Sequence, residues 1–498
     1  MLNHLAILQV IVPLLAAPIG LLLNKARLAW LFACVAAVAT FIISAVLLYQ
    51  VQQTGTITYD LGGWEAPWGI QYRIDLLSAY VLLIVSTIGM LVLFAAHTSI
   101  SVEVPGDRQA LLYVLYLLCL AGLLGIVATG DIFNVFVFLE ISSLASYALI
   151  AYGRDRRALW AAYQYLVVGT IGATFFLIGI GFLYSLTGTL NMADLAARIP
   201  ALGASKTLYT AFAFIVVGIC LKLALFPLHL WLPNAYAYAP SIVTAFLAAT
   251  ATKVAVYLLI RLDYSVFGTA FITSVLPLQS IFLVLGLVGV FVASLVAIQQ
   301  PNIKRLFAYS SVAQIGYMII GMGIGTTLGL QATLLHLFNH ALMKGALFLA
   351  LAAVVYRIGS VDIRAFRGLG KTMPMTMAAI VVGGLSLVGV PLTVGFVSKW
   401  HLILAAFNAD LWFVGLLVVI GSILALYYVW GIIEAAYFRD PEANANNTEV
   451  GLLRREAPLS LLIPAWILIA ANIYFGIDTR LTVDISAQIA SYLMAGGQ

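Results

Sequence analysis

Apolar residues occupy this chain in long blocks, with little of the alternation that marks a half-buried strand. The blocks cover 5–23, 28–50, 76–96, 109–129, 132–151, 159–187, 208–232, 241–260, 272–298, 306–324, 328–356, 373–394, 400–407, 411–437 and 458–475. Roughly 20 residues cross a bilayer as a helix, and the short block 400–407 joins 373–394 across a polar break. The pattern predicts about fourteen transmembrane helices and an all-α polytopic membrane protein. The longest polar stretches are 51–75, 188–207, 357–372 and 439–457, too short for a soluble domain. Block 5–23 reads as a first spanning helix and not a signal peptide, because it follows Asn3 and His4 where a basic segment is needed.

Two of the blocks look interrupted. KLALFPLHLWLPNAYAYAP sets Pro227 and Pro233 after Lys222, and GVPLTVGFVSKW sets Pro391 and Gly395 before Lys399. Proline removes a helical hydrogen bond and clashes with the preceding turn. The freed carbonyls at membrane depth then need a protein-lined or watery surrounding. Two discontinuous helices in corresponding halves point to an inverted repeat around an ion path. Outside the blocks, VQQTGTITYDLGGWEAPWGIQYRID (51–75) predicts an extended or hairpin cap where tryptophans anchor at the outer interface. Segment 439–457 predicts a cytoplasmic loop.

Composition agrees with lipid as the solvent: of 498 residues, 63% are hydrophobic and 9% charged, too few polar groups to cover a globule in water. The net charge of +5 does not signal nucleic acid, since the cations lie between blocks and not along one face. They report orientation instead. With the N-terminus outside, cytoplasmic segments hold Lys25, Arg27, Arg108, Arg154, Arg156, Arg157, Lys304, Arg305, Arg357, Arg364, Arg367, Lys371, Arg439, Arg454 and Arg455. Outer segments hold only Arg73, Arg198, Lys206, Arg261 and Arg480, as the positive-inside rule requires. Cys34, Cys119 and Cys220 sit inside apolar blocks with no CxxC, which argues against a disulfide framework or an iron–sulfur site. With no GxGxxG and no P-loop, no cofactor is expected.

Six charges remain within the blocks: Glu140, Lys222, Lys253, Lys344, Lys399 and Glu434. A mid-helix charge facing lipid costs about 2.5–3.5 kcal/mol, so six would oppose insertion by roughly 15–20 kcal/mol. They must face an interior that hydrates or pairs them. Burial disfavours a charged amine and a nearby carboxylate restores it, so a lysine can exchange its proton where an arginine cannot. HLFNHALMKGALF adds His336 and His340 in four-residue steps with Lys344, a polar stripe down one helix face. Histidines so spaced can ligate zinc, but Leu337 stands where HExxH has its glutamate, so no metal site is expected. His229, beside the first break, and Glu434, near a helix end, are further possible relay members. Asp131 reads as a helix N-cap; Glu140, nine residues on, is too deep for capping.

Five segments carry a family resemblance: GDIFNVFVFLEISSLASYALIAYG, KLALFPLHLWLPNAYAYAPS, ATKVAVYLL, HLFNHALMKGALF and GFVSKW. In this order they resemble the antiporter-like subunits of Mrp cation/proton antiporters, respiratory complex I and membrane-bound hydrogenases. Within that family the chain is most similar to the D-type subunits of the Mrp antiporters. The resemblance implies fourteen helices with two inverted five-helix repeats, near 109–260 and 272–437. A three-helix region (1–108) would precede them, and a cytoplasmic loop with the last helix (438–498) would follow. It implies a proton relay through Glu140, Lys222, Lys253, His336, His340, Lys344 and Lys399. It further implies a polypeptide without a redox or hydrolytic site of its own, in a prokaryotic cytoplasmic membrane beside other hydrophobic subunits, exchanging Na+ or another monovalent cation for protons. A proton-pumping arm of complex I or a hydrogenase is the alternative, and a non-transporting scaffold the third reading.

Overall fold

The computed structural model describes residues 4–23, 25–203, 205–275, 277–440 and 455–496. The chain is almost wholly helical: α1 (Leu5–Leu21), α2 (Ala26–Thr54), β1 (Ile57–Asp60), β2 (Gln71–Ile74), α3 (Leu76–Glu103), α4 (Gly106–Ala128), α5 (Ile132–Ala151), α6 (Arg157–Thr187) and α7 (Met192–Arg198). There follow α8 (Lys206–Leu223), α9 (Trp231–Tyr238), α10 (Ser241–Ala249), α11 (Ala251–Ile260), α12 (Thr269–Val275), α13 (Leu278–Ile298), α14 (Ile303–Ile324) and α15 (Thr327–Ile358). The last helices are α16 (Leu369–Thr372), α17 (Pro374–Val388), α18 (Val394–Asn408), α19 (Trp412–Ile433), α20 (Leu459–Ile477) and α21 (Arg480–Met494). Among the described residues twelve helical stretches are long and apolar enough to cross a membrane, and Leu5–Leu21 and Pro374–Val388 are shorter apolar helices. Against the expected fourteen, the shortfall lies in the short α1 and in the broken α17–α18.

Polar residues at block edges start the helices. Asp75 accepts from the Ser78 amide (2.9 Å), Asp131 from Asn134 (2.7 Å), Asn302 from Arg305 (3.0 Å) and Thr326 from Gly329 (3.1 Å); each satisfies an amide that the first turn leaves free. Strands β1 and β2 pair antiparallel over 57–60 and 71–74, the hairpin expected in 51–75. Block 272–298 is split at Pro277 into α12 and α13, since proline disfavours a helical residue before it. The amphipathic α21 was not anticipated; its period-3.6 stripe of Ile485, Ile489 and Leu493 is buried. Of the loop expected at 439–457, residues 441–454, with Arg454, lie outside the described residues.

Two backbone bridges of the same register tie the chain at matching places. Ile132 N bonds Leu190 O and Met192 N bonds Gly130 O (2.9 and 2.8 Å); Ile303 N bonds Val361 O and Ile363 N bonds Pro301 O (2.9 and 2.8 Å). Both broken helices also end alike. Ala224 (φ 60°) and Gly389 (φ 93°) are left-handed C-caps, and the next amide returns to the first carbonyl of the turn, Leu225 to Cys220 and Val390 to Leu385, each at 3.1 Å. Pro233, expected to break the first helix, lies instead in the first turn of α9, where a missing amide costs nothing. Helix α15 is the hub, packed by α3, α10, α14, α17, α18, α20 and α21.

Candidate functional site

In the first half, α5 and α8 bring Glu140 and Lys222 together, with Nζ 3.7 Å from Oε1. Lys222 also donates to Ser143 Oγ at 2.8 Å and stands 3.4 Å from the Tyr147 hydroxyl. The lysine is almost wholly buried, whereas the Glu140 side chain is a quarter exposed. Beside them lies a cavity of about 40 Å³ lined by Ser142, Ser143, Ser146 and Lys222 on one side and Ala251, Val254 and Ala255 of α11 on the other. At roughly 10–15 Å³ per water it has room for a few molecules, and it extends from Lys222 to the helix that carries Lys253.

Lys253 is fully buried. It donates to the Ala248 carbonyl and, at 3.3 Å, to Thr252 Oγ1, beside the irregular Thr250 where α10 gives way to α11. Helices α10 and α11, which meet beside it, both pack against α15, the helix of the expected stripe. The two histidine rings are nearly parallel, with centroids 6.0 Å apart. His336 Nδ1 is hydrogen-bonded to Ser398 Oγ at 2.8 Å. Neither nitrogen of the buried His340 meets a partner among the described residues, a costly state for a ring that does no more than fill space.

In the second half Lys344 donates to Phe307 O (2.7 Å) and Ser310 Oγ (2.5 Å) on α14. Lys399 donates to Leu387 O (2.8 Å), Val388 O (3.0 Å) and Ser422 Oγ (3.0 Å), with its Nζ 4.7 Å above the Tyr317 ring. The two carbonyls are those that the end of α17 leaves without helical donors. No carboxylate lies within ion-pair distance of Lys253, Lys344 or Lys399 among the described residues.

Six of the seven expected residues are thus buried within the helices, with Glu140 partly exposed beside Lys222, while no contact joins the two possible members to them among the described residues. His229 is buried in the first break, its ring 5.3 Å from Phe226 and 6.2 Å from Tyr309. Glu434 is half-exposed and bonded to Arg439 at 2.7 Å, at the end of its helix.

Two buried ion pairs escaped the sequence reading, because their residues flank blocks and were assigned to loops. Arg261 grips Asp75 with both amino groups (2.5 and 2.6 Å) and also reaches Ser78 and Tyr257. Lys304 lies 3.9 Å from Glu103, whose Oε2 also caps α10 through Ser241 N and Oγ, both at 2.9 Å. Both carboxylates come from the two ends of α3. Four-residue spacing of Lys253, Tyr257 and Arg261 is the signal that would have found the first pair.

Helices of membrane-spanning length closing around a row of buried lysines and histidines, with two helices broken beside a lysine, define a multi-pass antiporter-like membrane protein. The transmembrane family described as NADH:quinone oxidoreductase/Mrp antiporter matches residues 129–425, and the chain belongs to it. It is 42% identical to the NADH-quinone oxidoreductase N subunit of Desulforudis audaxviator (strain MP104C), over 98% of each chain. It is 31% identical to the Na(+)/H(+) antiporter D subunit of Alkalihalophilus pseudofirmus, over 99% of this chain and 97% of that one. A chain of the membrane-bound sulfane sulfur reductase, an archaeal respiratory membrane complex, superposes with a TM-score of 0.89 at 32% identity, covering 99% of this chain and 98% of that one. The expected likeness to the antiporter D type therefore stands beside a higher identity to an oxidoreductase N type.

Proposed function

We propose that this chain is the proton-translocating subunit of a multisubunit Mrp-type antiporter, exchanging Na+ or another monovalent cation for protons across a prokaryotic cytoplasmic membrane. The observation that carries the reading is the Glu140–Lys222 pair beside a water-sized cavity that runs to the helix of Lys253. In the pair, the carboxylate favours the ammonium form; its withdrawal favours release of a proton toward Lys253. From Lys253 the path continues over the α15 stripe of His336, His340 and Lys344 to Lys399, with His229 and Glu434 as possible further members. Two inverted repeats, near 109–260 and 272–437, supply the two ends of the path, a reading supported by the matching backbone bridges and the matching C-caps of the broken helices. The distribution of cations supports an N-terminus and a β1–β2 hairpin on the outer side. Full-length similarity to the antiporter D type supports the coupling to a cation.

The deciding experiment is Lys222→Ala in the assembled complex. In everted membrane vesicles, loss of cation-dependent proton movement at unchanged complex content is the expected outcome. Wild-type exchange from that assembled variant overturns the role. A second reading, a proton-pumping arm driven by a redox enzyme, is favoured by the 42% identity to the oxidoreductase N type. Purification with flavin or iron–sulfur subunits selects it, and purification with hydrophobic subunits alone selects the antiporter.

A further inference from the structure

The second half holds a second set of buried polar groups between its lysines, away from the histidines. Ser310, Gln314 and Tyr317 lie at steps of four and three residues on α14, hence on one face of that helix. All three are buried. Ser310 Oγ accepts from Lys344 Nζ at one end, and the Tyr317 ring lies under Lys399 Nζ at the other. Helix α19 faces this stretch. Its Ser422 Oγ accepts from Lys399, its Gly421 lies against the Tyr317 hydroxyl, and its buried Tyr428 turns its hydroxyl toward Ser310 and Gln314.

These groups lie near one another, the Tyr428 hydroxyl toward Ser310 and Gln314 and the Tyr317 hydroxyl toward Ser422, without the well-formed hydrogen bonds that a static network needs. The Gln314 amide oxygen and nitrogen and the hydroxyls of Tyr317 and Tyr428 form no hydrogen bond among the described residues. Each unpaired buried polar group destabilises the fold, and an apolar residue at any of these positions would avoid the cost. The two serines, by contrast, are prepared alike. Each accepts from a lysine while donating to a carbonyl of its own helix, Ser310 to Phe307 O (2.9 Å) and Ser422 to Val418 O (3.1 Å). From Ser310 to Tyr317 the face of α14 rises about 10 Å, too far for one hop and short enough for a hydroxyl at each end with water between.

We propose that Ser310, Gln314, Tyr428, Tyr317 and Ser422 form a hydroxyl and amide bridge that passes protons between Lys344 and Lys399 without using His336 or His340. This rests on the proton-translocating reading above. In one passage the Lys344 ammonium gives up one proton and ends as the amine, and the Lys399 amine takes one up and ends as the ammonium. Each serine, tyrosine and bridging water accepts a proton on oxygen and releases another, so it is regenerated. Gln314 loses no proton. Its amide orients water between the Tyr428 and Tyr317 hydroxyls, the place of a group with one donor and one acceptor side.

The test uses the whole complex in native membrane vesicles with a pH-sensitive dye. Tyr428→Phe keeps the ring, and Gln314→Met keeps the side-chain length while removing the amide. Each is expected to lower the rate of proton movement about tenfold at unchanged complex content. Each also raises the ratio of rates in H2O and D2O, which a packing change alone leaves where it was. Wild-type rates and isotope ratios in both variants, with Lys344→Ala and Lys399→Ala inactive, overturn the bridge and leave translocation standing. Wild-type rates in the two lysine variants overturn translocation and the bridge together. If Gln314→Met fails to assemble, Tyr428→Phe decides alone.

Discussion

The two halves solve the same problem, a lysine buried at membrane depth, with different chemistry. In the first half a carboxylate on a neighbouring helix stands 3.7 Å from Lys222. In the second half Lys399 is held by the carbonyls of Leu387 and Val388 and by the Ser422 hydroxyl, with no carboxylate within ion-pair distance among the described residues. Helix breakage is common to both but serves different ends. Lys222 belongs to the last turn of α8, before its break. Lys399 lies beyond the break, in α18, and reaches back to the bare carbonyl end of α17, the negative end of that helix's dipole. A full opposite charge faces the lysine in one half, and a set of partial charges faces it in the other. On the proposed reading, the first is suited to switching and the second to passing a proton on.

Removing the switch is the largest intervention. Glu140→Gln keeps the shape and deletes the charge. It is expected to lower cation-dependent proton movement in vesicles by about a hundredfold or more, as for other positioned acid–base groups; a loss below threefold removes the distinction between the halves. Next in size is the contrast between the two clamps on α3. Arg261→Gln strands Asp75, which is expected to lower complex stability by about 3–5 kcal/mol. Lys304→Met leaves Glu103 bonded to Ser99 and Ser241 and is expected to cost only about 1 kcal/mol. Thermal unfolding of the detergent-solubilised complex measures both, and equal losses would contradict the geometry.

A third intervention converts one half toward the other. Ser422→Asp gives Lys399 the carboxylate that it lacks; holding the ammonium form more tightly, it is expected to slow proton movement about tenfold, the equivalent of roughly 1.4 kcal/mol. Stimulation instead would show that the second half also works as a charge-pair switch. The smallest effect belongs to Ser143→Ala, which removes one of the hydrogen bonds of Lys222 while keeping Glu140. A drop of about fivefold in the same assay is expected from one bond of about 1 kcal/mol.

Much of this interior was legible beforehand because lipid makes charge rare. A lysine inside an apolar block has few explanations, so Lys222, Lys253, Lys344 and Lys399 stand out from the sequence alone, as do the proline-bearing breaks beside two of them. Serine, glutamine and tyrosine carry no such signal, since each is tolerated singly in a spanning helix. Ser143, Ser310 and Ser422 became visible only when the approach of α5 to α8, of α14 to α15 and of α19 to α18 set them beside the lysines. Arg261 and Lys304 were misplaced for the opposite reason. At the edge of a block a cation reads as a loop residue, and only the return of α3 to both positions buries them.

Local chemistry is written along the chain: apolar blocks set the helices, Asp75, Asp131, Asn302 and Thr326 start them, and prolines open the breaks. Those features depend on neighbours within a turn or two, which is why sequence by itself determined them. Which carboxylate meets which cation depends on side chains 82 or 186 residues apart being carried to one point by the helices between them; Ser143, 79 residues from Lys222, is placed in the same way. So only the tertiary structure decided that Lys222 meets a carboxylate and Lys399 bare carbonyls and a hydroxyl.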